Sequence, residues 1–253
     1  MKPTFLTYQK PLLCAMIQAT TAEEAICQIV NASYDGAEAF GVQLECLRRE
    51  DRTLETLKKI FSYCENKPIY MTSYRYSNST GYTDDDCAQL LLLGLEAGGT
   101  LCDIMGDMFC KAQYELTYDQ EAVRKQKELA AKIHAMGGEV LFSSHVGTFL
   151  SEEEIMKIAF AQQDRGADVV KIVTHAQTHE QLMTDINICD RLNRELKSKF
   201  LFLANGPHCK LLRQMGAALG CCMYLTVQHY MPVSSKEQPQ LRATKALRDA
   251  MFN

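Results

Sequence analysis

Eight short apolar runs, each followed by a longer amphipathic stretch, set the tightest limit on how this chain can fold. The runs are LLCAMI (12–17), AFGVQLECL (39–47), PIYMTSYR (68–75), TLCDIMGD (100–107), EVLFSSHV (139–146), DVVKIVTH (168–175), FLFLANG (200–206) and CMYLTV (222–227). Each has strand length and is rich in apolar or β-branched residues. The stretches between them carry helix signals. LETLKKIFSYCE (54–65) sets Leu54, Leu57, Ile60 and Phe61 at helical spacing, and Asp119 caps a segment that closes on Gly137. Ser151 precedes Glu154 at capping-box spacing. TDDDC (83–87) puts acids at the positive end of a helix that finishes on Gly98.

A strand–helix unit repeated eight times requires parallel strands with right-handed crossovers. Eight such strands close into a barrel, so the predicted fold is α/β, a single (β/α)₈ TIM-barrel domain over residues 1–253. An open doubly wound sheet is the competing architecture. It usually carries a Gly-rich turn after its first strand, whereas CAMIQATTAEEA (14–25) has no glycine.

With 253 residues, 47% of them hydrophobic, the chain can bury a core of barrel size. The net charge of −4 argues against a nucleic-acid partner, which needs a basic stripe. MKPTFLTYQKPLLCAMIQ (1–18) is too weakly apolar for a leader or a membrane span, so a cytoplasmic protein without a membrane partner is expected. The cysteines number 11 and form no CxxC pair. They read as small buried hydrophobes of a reducing compartment, not as zinc ligands, and no metal is expected. A homodimer remains open, although no surface stripe marks an interface.

Chemistry in a barrel sits at the C-terminal ends of the strands. Lys171 lies inside DVVKIVT, sharing a face with Val169 and Val173. A lysine seldom enters a core without purpose, and desolvation favours the neutral amine that attacks carbonyls. A snorkelling lysine or a buried ion pair is the structural alternative. His145 ends the preceding run, and strands about 4.8 Å apart would bring it to the same substrate as a proton carrier. By itself, a strand-end histidine is more often structural. Asp103, or Asp107 two turns of the pleat further on, can orient the imidazole. Arg75 and Arg213 stand where a barrel mouth often grips a carboxylate, though lone arginines are commonly surface residues.

In their order along the chain these residues resemble the type I 3-dehydroquinate dehydratase family. FSSHVGT is similar to the family's strand-five histidine segment and GADVVKIVT to its strand-six lysine segment. Gly206 and Arg213 match a glycine and a carboxylate-binding arginine seven residues apart. QPQ (238–240) is similar to the family's Pro-Gly-Gln loop, which implies that Gln240 touches substrate, with the family's loop serine falling near SSK (234–236). CDIMGD takes the place of its Asp-x-Glu strand, with Asp103 as the match. The resemblance implies that Lys171 forms an imine, His145 is the acid/base and no cofactor is needed beyond that covalent imine. The partner is then a small cyclic hydroxy-keto acid. SSKEQPQ would close over the mouth.

The departures fall on recognition positions. Gln43 and Glu45 stand where the family has a substrate-binding Glu-x-Arg pair, TSYR has one extra residue before Arg75, and YSNSTG lacks a Glu. Two other functions therefore compete with the dehydratase. One is an imine-forming class I aldolase or lyase of another keto acid or sugar. The other is a ligand-binding barrel without catalysis, for which a buried lysine would be superfluous.

Overall fold

The apolar runs become eight parallel strands in a computed structural model that describes residues 3–231 and 236–252. They are β1 (Leu12–Ile17), β2 (Ala39–Gln43), β3 (Ile69–Thr72), β4 (Leu101–Met105), β5 (Glu139–His145), β6 (Val169–His175), β7 (Lys199–Asn205) and β8 (Met223–Thr226). The helices between and after them are α1 (Ala22–Tyr34), α2 (Leu54–Ser62), α3 (Asp84–Glu96), α4 (Gln120–Ala135), α5 (Glu152–Asp164), α6 (His179–Glu195), α7 (Cys209–Met215) and α8 (Leu241–Phe252). The predicted caps form. Asp119 accepts from Ala122 N, and Ser151 and Glu154 make a reciprocal capping box; Thr83 and Asp86 make a further one that was not predicted.

The strands pair in the order β7-β6-β5-β4-β3-β2-β1-β8, so the sheet rolls into a nearly closed TIM barrel. Among the described residues no ladder joins β7 to β8. One backbone bond, from Cys222 N to Phe200 O, spans that seam, and the Cys221 thiol lies against both the amide and the carbonyl of Phe202.

Inward-facing side chains alternate along the strands and fill the tube. At one point the filling depends on glycine: a Cβ on Gly41 of β2 would strike the sulfur of Met16 and crowd the Tyr70 ring. Two predicted strands stop early. β2 gives way to a 3₁₀ turn at Leu44–Cys46, and β3 ends at Thr72. Glu45 and Arg75 therefore lie beyond their strands. No helix among the described residues is long and apolar enough to cross a membrane. No cluster of three His, Cys, Asp or Glu side chains among them is arranged to hold a metal.

Asp185 of α6 is fully buried, and neither carboxylate oxygen has a hydrogen-bond partner among the described residues. Burial pushes its pKa up to about 7. The folded state thus binds a proton that the unfolded chain releases near pH ~4. The stability tied to that proton is complete below ~pH 4 and drains away as pH rises through the folded value. Asp185→Asn should be more stable than the wild type at pH 8, by roughly 2 kcal/mol, with the gap closing toward pH 4. Denaturant melts across that range measure it, and a pH-independent gap would contradict the account.

Candidate active site

A cavity of about 250 Å³ opens at the C-terminal ends of the strands. Lys171 and Val173 reach it from β6, His145 from β5, Gln43 from β2, and Arg213 from α7. Gln18, Thr72, Tyr74, Tyr76, Asn205 and Gln238 supply further polar wall.

Lys171 is 4% exposed. Its ammonium donates to Tyr74 Oη at 2.8 Å and Tyr70 Oη at 2.9 Å, and pairs with Asp103 Oδ2 at 3.2 Å. Both phenols donate to that same Asp103 oxygen, while Ser143 donates to the other. The parallel register opposes Ser143 to Lys171, which draws strands β4 to β6 around one polar knot in the tube. Burial alone would raise the Asp103 carboxyl. The Lys171 charge and the hydrogen bonds from Ser143, Tyr70 and Tyr74 outweigh it, so its pKa lies below the ordinary value.

This corrects one expectation. Asp103 holds the lysine and not the imidazole, because its side chain points into the tube well below the rim. The imidazole is held by Glu115, whose carboxylate lies 2.6 Å from His145 Nδ1 and also accepts the His145 backbone N–H. Asp107 is engaged elsewhere, by Arg75 and by the backbone N–H of Ala112.

Glu115 comes from the loop after β4, and the fold spends strain to place it. Tyr114 and Glu115 both adopt left-handed backbone, with φ of 59° and 50°. Each such residue costs about 1 kcal/mol or more without a glycine. The compensation is a buried clamp. Arg165 donates to Thr117 O, Gly106 O and Gln126, and Ser144 Oγ donates to Glu115 O. Gly106 is required here, since a Cβ would come within 2.5 Å of the Glu115 carbonyl.

Arg213 is buried at the opposite wall, where Nε donates to Ala204 O at 2.8 Å and one terminal nitrogen to Asn205 Oδ1 at 2.7 Å. Burial pulls its pKa down, with Cys209 and Glu237 opposing. Arg213 lines the cavity, and a guanidinium there is a suitable seat for a carboxylate.

Three expected substrate contacts are placed elsewhere. Glu45 sits in the 3₁₀ turn, fully buried, and accepts from Thr72 Oγ1. Burial pushes it up to about 7 despite those bonds. Arg75 turns outward into paired contacts with Asp84 at the start of α3 and with Asp107. Gln240 is exposed and is not among the residues lining the cavity; its backbone bridges to Val227 just before α8, and Gln238 lines the cavity in its place. Ser234 and Ser235 of the expected SSK contact lie outside the described residues, as does the first part of the SSKEQPQ loop.

Gln18 and Asn205 were passed over in the sequence, although each is a polar residue at the C-terminal end of an apolar run. Tyr70 and Tyr74 sat within a run and read as core aromatics. Glu115 had no signal, because its loop has no periodicity and its partner lies 30 residues away.

The model of the type I 3-dehydroquinase family matches residues 13–251. No curated protein matches the chain. The crystal structure of 3-dehydroquinate dehydratase from Geobacillus kaustophilus HTA426 superposes with a TM-score of 0.81 at 13% identity, covering 96% of this chain and 91% of that one. A type I 3-dehydroquinate dehydratase from Clostridium difficile, solved with covalent modified comenic acid, gives 0.78 at 16% identity, with 96% and 93% covered. The Enterococcus faecalis enzyme gives 0.76 at 14%, with 95% and 94% covered.

Proposed function

This chain belongs to the type I 3-dehydroquinase family, and on that premise we propose that it dehydrates 3-dehydroquinate to 3-dehydroshikimate through an imine on Lys171. The observation that carries the proposal is a buried lysine on the wall of a cavity that also holds a histidine and a charged arginine.

Lys171 Nζ bonds to the substrate's ketone carbon, and the carbonyl oxygen leaves as water. The iminium draws electrons from the neighbouring C–H bond, whose proton His145 removes. The β-hydroxyl then departs with a proton from the same imidazole, and water releases the product from the lysine. Glu115 positions His145 and favours the imidazolium formed halfway. Arg213 holds the carboxylate, and Gln18, Gln43 and Gln238 offer uncharged partners for ring hydroxyls. The lysine is itself the electron sink, so the scheme calls for no metal or organic cofactor. A chain with 11 cysteines and no CxxC pair fits a reducing, cytoplasmic setting.

A second substrate remains in play for one reason. Arg75 and Glu45 are withdrawn from the cavity, which leaves amides where the family has charged hydroxyl-binding groups. An imine-forming lyase of another keto acid would suit that wall. Ultraviolet absorbance of the conjugated product, followed by borohydride reduction and intact-mass measurement, separates the two. Dehydroquinate turnover with a reducible adduct supports the first. An adduct with a different keto acid and no dehydroquinate turnover supports the second. No adduct with any keto acid would sink both.

A further inference from the structure

We propose that Tyr74 is a catalytic residue that relays protons from Lys171 Nζ to the substrate's carbonyl oxygen while the imine forms; this rests on the imine chemistry above.

The stoichiometry creates the need. An ammonium and a ketone give an iminium and water, so two protons must leave nitrogen and arrive on the departing oxygen. Once nitrogen and carbon are bonded, nitrogen and oxygen share one carbon, and a direct N–H to O transfer is bent far below a workable hydrogen-bond angle. A hydroxyl beside both atoms removes the strain, because it accepts one proton as it hands on its own.

Tyr74 is so placed. Its oxygen accepts from Lys171 Nζ at 2.8 Å and donates to Asp103 Oδ2 at 2.6 Å, and its ring lines the cavity. The ring also meets His145 edge to face, with centroids 5.2 Å apart. Tyr74 therefore borders the space between lysine and histidine that the reacting carbon must occupy. Tyr70 also lines the cavity and makes similar bonds to Lys171 and Asp103, but it does so from within β3, with its ring against Gly41, and the ring that meets His145 is that of Tyr74. Burial, with the charge of Asp103, holds the Tyr74 phenol far above its usual range. It stays protonated and works by exchange, not as a phenolate base.

The first proton passes from nitrogen through Tyr74 to the Asp103 carboxylate. The freed nitrogen pair bonds to carbon, and the carbonyl π pair moves to oxygen, which takes the Tyr74 proton as Asp103 restores the phenol. In the second half nitrogen gives up another proton, and the electron pair of that N–H bond closes C=N as the C–O bond breaks. The hydroxyl leaves as water with the Tyr74 proton, and the phenol is refilled from nitrogen. Asp103 ends as it began, and no oxidant or reductant enters.

The test is rapid mixing of the full chain with 3-dehydroquinate, quenched into borohydride and read by intact mass. Tyr74→Phe should slow adduct formation by about 100-fold, and Tyr70→Phe by less than about tenfold, in line with the loss of one proton-transfer group. In Tyr74→Phe the slow step moves to imine formation, so substrate deuterated at the proton-losing carbon should no longer show an isotope effect on kcat. Tyr74→His, which keeps a proton carrier, should regain part of the rate. On wild type, adduct formation should slow in deuterated water. Adduct formation at the wild-type rate in Tyr74→Phe, or no solvent isotope effect on wild type, overturns the proposal alone. A wild type that forms no adduct overturns the imine chemistry and this relay together.

Discussion

Lys171→Ala should reduce turnover by at least about 10⁴-fold and abolish borohydride trapping, because the variant loses both the covalent electron sink and the tether that holds substrate against His145. The variant carries a second, separable effect. It leaves the Asp103 carboxylate buried with its hydroxyl donors but without its cation. Breaking a buried pair from one side costs roughly 3–5 kcal/mol. Activity and stability should therefore fall together in Lys171→Ala. Pairing it with Asp103→Asn should restore part of the melting temperature and none of the turnover. Turnover in the stable double variant would refute the lysine's covalent role, since misfolding is then no longer an explanation for either result.

His145→Ala should behave in the opposite way along the reaction. It keeps the lysine and its phenol partners intact, so substrate should still be trapped as an imine. Elimination should slow by about 10²–10⁴-fold, the usual effect of losing a positioned proton carrier. The adduct mass distinguishes the stages, because a stalled enzyme yields reduced substrate adduct and not reduced product adduct. Glu115→Gln should show the same stall in weaker form, about ten- to a hundredfold, since the amide still fills the space but no longer favours the imidazolium. A His145→Ala enzyme that dehydrates at the normal rate would rule out the assigned role.

The barrel was legible because eight apolar runs are long enough to reveal strands, and because α3, α4 and α5 carry recognisable end signals. Lys171 was legible because a charge in the middle of such a run is conspicuous. Strand ends were not. AFGVQLECL gives no sign that the chain tightens into a 3₁₀ turn after Gln43, and this turn removes Glu45 from the cavity. Arg75 is close enough to Asp84 and Asp107 to satisfy its charge locally, which no spacing rule anticipates. Asp103 was read against the nearest catalytic partner, the histidine. The inward pleat gave it instead to the lysine and two tyrosines that a sequence pattern cannot distinguish from packing aromatics. Glu115 was hidden for a different reason. Its position depends on a strained turn and on Arg165 just after α5, neither of which has a local signature.

The seam beside β7 has a mechanical consequence. Strands β5 and β6, which carry His145 and Lys171, are laced to neighbours along both edges. β7, which ends in Asn205 and backs Arg213, is laced along β6 only and meets β8 through a single amide and a soft sulfur. The half of the mouth that holds Lys171 and His145 is braced like a vault. The half that ends in Asn205 takes its position from β6 alone, through an unbroken register that runs from Val169 to His175 and includes Lys171, so its placement is set from the lysine strand outward.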